Sequence, residues 1–132
     1  DFVHCTSAHR AAALRRLGHA VLLLNPQAYV PQHWVVRGFN VRTGYRVFAD
    51  WVSACLKSKI KSKLRIGASQ GFDLVWIDGC PELPPAFYLW LRSLGFPIVC
   101  YNIDDPFGGR DRRKWDLLRQ SVPHIDLMVV VR

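Results

Sequence analysis

Two stretches of the chain share one grammar: LRRLGHAVLLLN (Leu14–Asn25) and LRSLGFPIVCYN (Leu91–Asn102) align without a gap. Each reads as a helix end, a glycine, an apolar run and an exit asparagine. Gly18 and Gly95 stand where the helices stop, a position that favours left-handed dihedrals. The runs that follow are continuous rather than alternating, the pattern of parallel strands covered on both faces. A chain that uses this α-to-β half unit twice is confined to an α/β architecture.

The remaining segments extend that pattern. Residues 1–4 read as a first strand, and a helix capped by Thr6 or Ser7 runs to Leu17 with Ala11, Leu14 and Leu17 on one face. A second strand covers 20–24. A long helix over about 44–63 places Phe48, Trp51, Val52, Cys55, Leu56 and Ile60 on one side, before a third strand over 72–78. The next helix starts at Pro84–Pro85, where proline suits a first turn, and presents Leu83, Phe87, Trp90, Leu91 and Leu94. A fourth strand over 97–102, a helix over about 110–120 buried through Trp115 and Leu118, and a fifth strand over 125–131 complete the series. Alternating βα units with right-handed crossovers predict a three-layer Rossmann-like fold: a mainly parallel sheet of flavodoxin-like order 2-1-3-4-5, with helices on both faces. Residues 26–42 break the pattern and are expected to form a functional loop or a short extra strand.

At 132 residues the chain is expected to form a single domain, 1–132, with a real core. Hydrophobic residues make up 50% and charged residues 21%, which excludes a disordered chain. No apolar run approaches the ~20 residues of a membrane helix, so no membrane span is expected. The chain opens at Asp1 without a signal-peptide pattern and stops directly after LMVVV, as expected of a piece of a longer protein. Cys5, Cys55, Cys80 and Cys100 lie too far apart for a zinc site or a disulfide framework. Cys55 and Cys100 read as buried thiols, which points to a reducing cytoplasm.

The net charge of +8 gathers in two places, Lys57–Arg65 and Arg110–Lys114. Few aromatics interleave with these basic residues, so solvated faces are expected and nucleic acid is not an expected partner. A pull on phosphorylated small molecules is the remaining use of the charge.

Ligands of open α/β sheets bind outside the carboxyl ends of the strands. The first strand delivers His4, Cys5, Thr6, Ser7, His9 and Arg10 to that edge. The third delivers Asp78, Gly79, Cys80 and Glu82, and the fourth Asn102, Asp104 and Asp105. GxGxxG and GxxxxGK[ST] are absent, which removes a dinucleotide fingerprint and a P-loop. FGGR (Phe107–Arg110) offers a turn where a phosphate could sit. His4 and His9 lack a third convergent ligand, so no metal is expected. In IDDPF, Asp105 before Pro106 suits a turn or cap, which leaves Asp104 as the better functional residue; Arg10 and Arg110 are the expected cationic partners.

TSAHRAAALRRLGHAV, FDLVWIDG, GFPIVCYNIDDPF and HIDLMVVVR, in this order, resemble the N-terminal half of GT-B glycosyltransferases, and among these the CgeB (spore maturation protein) type family. The resemblance implies a two-domain enzyme with a cleft between Rossmann-like halves. The C-terminal half would hold most of the nucleotide-sugar donor, and the half present would shape the side for a glycan, protein or small-molecule acceptor. No metal or cofactor is implied, and this half alone is expected to be inactive. His9 would serve as general base at the acceptor hydroxyl, with Asp104 or Asp105 orienting it or replacing it. Ser7 and Arg10 would lie near donor phosphates, and Asp78, Glu82 and Asn102 would bind substrate. The alternative is a non-enzymatic flavodoxin-like module that binds a nucleotide or a protein. A receiver domain is excluded, because its acidic pair follows the first strand and this one follows the fourth.

Overall fold

The computed structural model describes residues 6–66 and 71–131. Helix α1 (Thr6–Arg16) is rich in alanine, the strongest helix former, and ends on Arg15 and Arg16, whose charges suit its carboxyl end. Gly18 at φ +91° closes it: Gly18 N–H donates to Arg15 O and His19 N–H to Leu14 O, the pairing of a Schellman cap. Gly95, its counterpart in the repeat, sits at φ +80° behind helix α4, so the expected stop signal holds at both copies. A 3-10 turn (Pro26–Tyr29), helix α2 (Trp34–Arg42) and helix α3 (Arg46–Ile66) follow α1. Strand β1 (Val75–Asp78), helix α4 (Pro85–Ser93), strand β2 (Ile98–Asn102), helix α5 (Asp116–Ser121) and strand β3 (Leu127–Val130) complete the described chain.

The three strands form a parallel sheet in the order β1-β2-β3, with Val75 opposite Ile98 and Val99 opposite Leu127. This is the 3-4-5 portion of the expected order, so the described residues form a mixed α/β fold with five α-helices and a small parallel sheet. The first expected strand, 1–4, lies outside the described residues. Residues 20–24 join no ladder with the described residues. Their neighbour in the expected order is 1–4. Arg15 Nη2 donates to Val21 O at 2.9 Å, and Leu24 packs on the core.

The 26–42 segment is neither bare loop nor strand but a 3-10 turn and a helix. Asn25 starts it, its side chain accepting from Gln27 N–H at 3.1 Å. The expected helix at 110–120 also differs. Arg112 sits at φ +47°, a conformation no α-helix passes through, so a 3-10 turn (Arg112–Trp115) precedes the short α5.

One hydrophobic cluster joins Val52, Leu56 and Ile60 of α3, Phe87, Tyr88 and Leu91 of α4, and Trp115 and Leu118 around Ile77, Ile98 and Cys100 of the strands. Alternation along the strands sends Trp76, Val99 and Tyr101 to the opposite face. Leu17, Trp51 and Leu94, expected in the core, are exposed. Leu17 and Leu94 fall beyond the last helical residue, and Trp51 lies off the stripe that Val52, Leu56 and Ile60 turn inward.

Asp126 fixes the register of β3. Its carboxylate accepts from Ile98 N–H at 2.8 Å and from Arg92 Nη1 at 2.7 Å, and its own N–H donates to Ile98 O. These bonds hold its carboxyl below the ordinary range, the Ile98 amide first. The core assignment has a direct check. Leu91→Ala is expected to cost about 2–5 kcal/mol in urea unfolding, whereas Leu89→Ala on the exposed side of α4 costs under ~0.5 kcal/mol.

Candidate functional site

The parallel ladder brings the carboxyl ends of β1, β2 and β3 to one edge, and most of the polar residues expected there are present. Arg10 of α1 forms an ion pair with Asp78 at the end of β1. Its guanidinium lies 4.3 Å from the centroid of Tyr101 and 5.6 Å from that of Trp76, so one side chain carries a charge pair and two cation–π contacts. Arg10 was expected against the acidic pair that follows β2; it serves Asp78 instead.

Asp104 and Asp105 divide their work. Asp105 Oδ1 accepts from Phe107 N–H at 2.9 Å, an Asx turn that shapes the chain through Pro106. Asp104 is gripped from two sides, by Arg110 Nη2 at 3.3 Å and Lys114 Nζ at 3.1 Å. Turn formation therefore accounts for one carboxylate, and the predicted Arg110 partner belongs to the other. The basic group at 110–114 is largely neutralised by Asp104, Asp111 and Asp116. FGGR leads into the 3-10 turn rather than a helix start.

His9 is exposed on α1 and makes no hydrogen bond among the described residues. Thr6 and Ser7 both lie within the first turn of α1, Ser7 half-buried; His4 and Cys5 lie outside the described residues. Asn102 is buried at 1% exposure, and among the described residues neither its amide nitrogen nor its amide oxygen has a hydrogen-bond partner. Among the described residues no group of three or more His, Cys, Asp or Glu side chains is placed to hold a metal.

Glu82 is the least accessible carboxyl of the predicted set, at 3% exposure. Its Oε2 accepts from the Cys80 thiol at 3.1 Å and its Oε1 from Gln27 Nε2 at 3.3 Å. No basic group comes within ion-pair distance of it among the described residues. Burial raises its pKa above the ordinary 4.5, and the Cys80 and Gln27 hydrogen bonds oppose that shift. Burial and the neighbouring Glu82 charge push the Cys80 thiol well up, and burial takes Cys100 to about 11, so neither thiol is a nucleophile at neutral pH.

Glu82 also lines a cleft of about 60 Å³ with Gln27, Val30, Arg37, Asn40 and Tyr45. Asn40 is 3% exposed, and its buried side-chain oxygen has no partner among the described residues. Tyr45 N–H donates to Asn40 O at 2.8 Å, and Gly44 N–H to Val41 O, closing α2 in a second Schellman cap. Here both Gly44 (φ +65°) and Tyr45 (φ +62°) are left-handed. Such a conformation costs a non-glycine residue roughly 1–2 kcal/mol, so the fold holds this tyrosine against local strain. Asn40 and Tyr45 escaped the sequence reading because nothing marked 26–42 as helical; the Thr43-Gly44 pair after a run ending in Arg42 was the available stop signal.

Comparison with protein-family models, with curated proteins and with solved structures returned no match.

The buried carboxyl gives a pH test with a definite sign. A raised folded pKa means that folding takes up a proton at Glu82. The wild type therefore loses stability as pH rises from below about 4.5 through the raised value. Glu82→Gln removes that dependence, so its stability relative to wild type is expected to rise between pH 4 and pH 7 in urea titrations. A constant difference would refute it.

Proposed function

We propose that this domain is the acceptor-side half of a nucleotide-sugar-dependent glycosyltransferase of the GT-B type, working in the cytoplasm and inactive without a donor-binding partner domain. The observation that carries the reading is the gathering of Arg10, Asp78, Asn102 and Asp104 at the carboxyl edge of a parallel sheet, with the exposed His9 preceding Arg10 on α1. No helix among the described residues is long and apolar enough to cross a membrane.

In this reading His9 accepts the proton of an acceptor hydroxyl as its oxygen attacks the anomeric carbon. The bond from that carbon to the diphosphate breaks, and the nucleoside diphosphate leaves with the electron pair. Arg10 and Ser7 face the departing phosphates. Asp104, held between Arg110 and Lys114, and Asp78, held by Arg10, are rigid carboxylates suited to acceptor hydroxyls. Asp105 is committed to its turn, which leaves the base role to His9.

One observation favours a second reading, a flavodoxin-like module that binds a nucleotide or a protein without turnover: among the described residues no carboxylate orients His9. The two readings separate in the full-length protein that carries this domain. Nucleoside diphosphate release from sugar donors is expected to fall roughly 10²–10⁴-fold in His9→Ala and several-fold in Asp104→Asn. Unchanged turnover in both variants sinks the site assignment, and donor binding without any turnover in the wild type supports the binding module.

A further inference from the structure

Helix α2 is turned inside out. A surface helix ordinarily directs its apolar stripe to the core and its polar residues to water. In α2 the buried residue is Asn40, at 3% exposure, while Trp34, Val35, Phe39 and Val41 stand in the open, Trp34 at 79% and Phe39 at 57%. With about 3.6 residues per turn, Val41, Trp34, Gly38, Arg42, Val35 and Phe39 follow one another around roughly half of the helix. The four apolar side chains therefore share its outer side, and a continuous exposed apolar face of this kind marks an interaction surface.

The charge around this helix has one sign. Asp50 is the only acid between Asp1 and Asp73, against eleven Lys and Arg, so the net charge of +8 arises wholly in that stretch. Arg42 stands within the apolar arc and Arg37 flanks it; both are exposed, and neither forms an ion pair among the described residues. Arg46, one turn on, reaches Asp116 at 3.6 Å, and the Arg110–Lys114 group is held by Asp104, Asp111 and Asp116. Uncommitted arginines and exposed apolar side chains thus occupy the same helix face.

We propose that the outer face of α2 docks this protein on the surface of an anionic lipid bilayer, with Trp34 and Phe39 at the boundary of headgroups and acyl chains and Arg37 and Arg42 on lipid phosphates. Indole rings favour that boundary, and basic side chains beside an apolar helix face add the attraction to anionic headgroups. The nine residues of α2, about 14 Å, lie in the plane of the surface and fall well short of the ~30 Å hydrocarbon core. A second copy of the chain would bring an equally basic face against this one. A nucleic acid would use the arginines and the aromatic rings and leave Val35 and Val41 without a fitting partner, whereas a bilayer accepts all of them. The inference stands apart from sugar transfer.

Vesicle flotation of the full-length protein that carries this domain tests it, with phosphatidylcholine vesicles alone or with about 30 mol% phosphatidylserine as the probes. Binding to the anionic vesicles is expected to be at least tenfold tighter than to phosphatidylcholine alone. The double variant Trp34→Ser, Phe39→Ser is expected to lose at least tenfold of that affinity with its far-ultraviolet circular dichroism retained, both side chains being exposed. Arg37→Gln and Arg42→Gln are each expected to weaken anionic binding about fivefold. A single-stranded uridine oligonucleotide is expected to bind more weakly than the anionic vesicles. Equal binding to the two vesicle types, binding to neither, full affinity in the double variant, unchanged affinity in both arginine variants, or tighter binding of the oligonucleotide than of the anionic vesicles each overturns the proposal.

Discussion

The central strand β2 sets the terms for everything around it. Both of its backbone edges are bonded, to β1 and to β3, and the side chains of Ile98, Cys100 and Asn102 are buried to 1% exposure or less. A strand enclosed in this way tolerates no slip, since a shift of one residue would turn Val99 and Tyr101 into the core. Asp126 pins the register at its amino end, and Gly79 N–H donating to Tyr101 O continues it beyond β1. Because the pairing is parallel, the same register delivers Asp78, Asn102 and the acidic turn to one edge. The polar edge is a consequence of how the apolar strand is held.

The repeat made this part of the fold legible. Gly18 and Gly95 both take the left-handed conformation expected of them, and β1, β2 and β3 fall within the apolar runs at 72–78, 97–102 and 125–131. Those signals are local: a run of Ile, Val and Cys after a helix stop reads as a buried strand wherever it lies. Pairing is not local. LLLN at 22–25 follows the same stop as IVCYN yet joins no ladder among the described residues, because an apolar run specifies burial and leaves its hydrogen-bonding partner unspecified. Helix α2 was illegible for the opposite reason. WVVRGFNVR contains three valines and a glycine, poor helix formers, and no acid in its first turn. What marks it in the structure is its cap at Gly44 and Tyr45 and the burial of Asn40, features that sequence periodicity does not register.

The same division runs through the site. Asp78, Asp104 and Glu82 stand out in the sequence because they follow apolar strand runs, where fold rules place ligands. Their partners were not identifiable. Arg110 was one of two candidates, Lys114 was not expected, and Arg10, the other, crosses from α1 to Asp78 rather than to the acidic turn. Charges within reach of one another re-pair according to distances of an ångström or two, which sequence spacing does not resolve. Asp105 shows the clearest case: a carboxylate two residues before an amide can close an Asx turn at little cost, and it does.

The two exit asparagines of the repeat end in different roles. Asn25 stands in the open and spends its oxygen on Gln27 N–H, starting a 3-10 turn. Asn102 stands inside the sheet edge with both amide atoms unpartnered among the described residues, a burden of roughly 1–3 kcal/mol for a group so placed. Gly79 on the neighbouring strand end is shaped to it, since a Cβ there would lie 3.2 Å from the Asn102 oxygen. Gly79 is itself at φ +52°. A leucine or valine at 102 would pack against Cys100 without that burden, so the asparagine is not explained by the needs of the core. Its position at the carboxyl end of the central strand, between the Arg10–Asp78 pair and the Asp104 cluster, ties the cost to the polar edge that the parallel sheet creates.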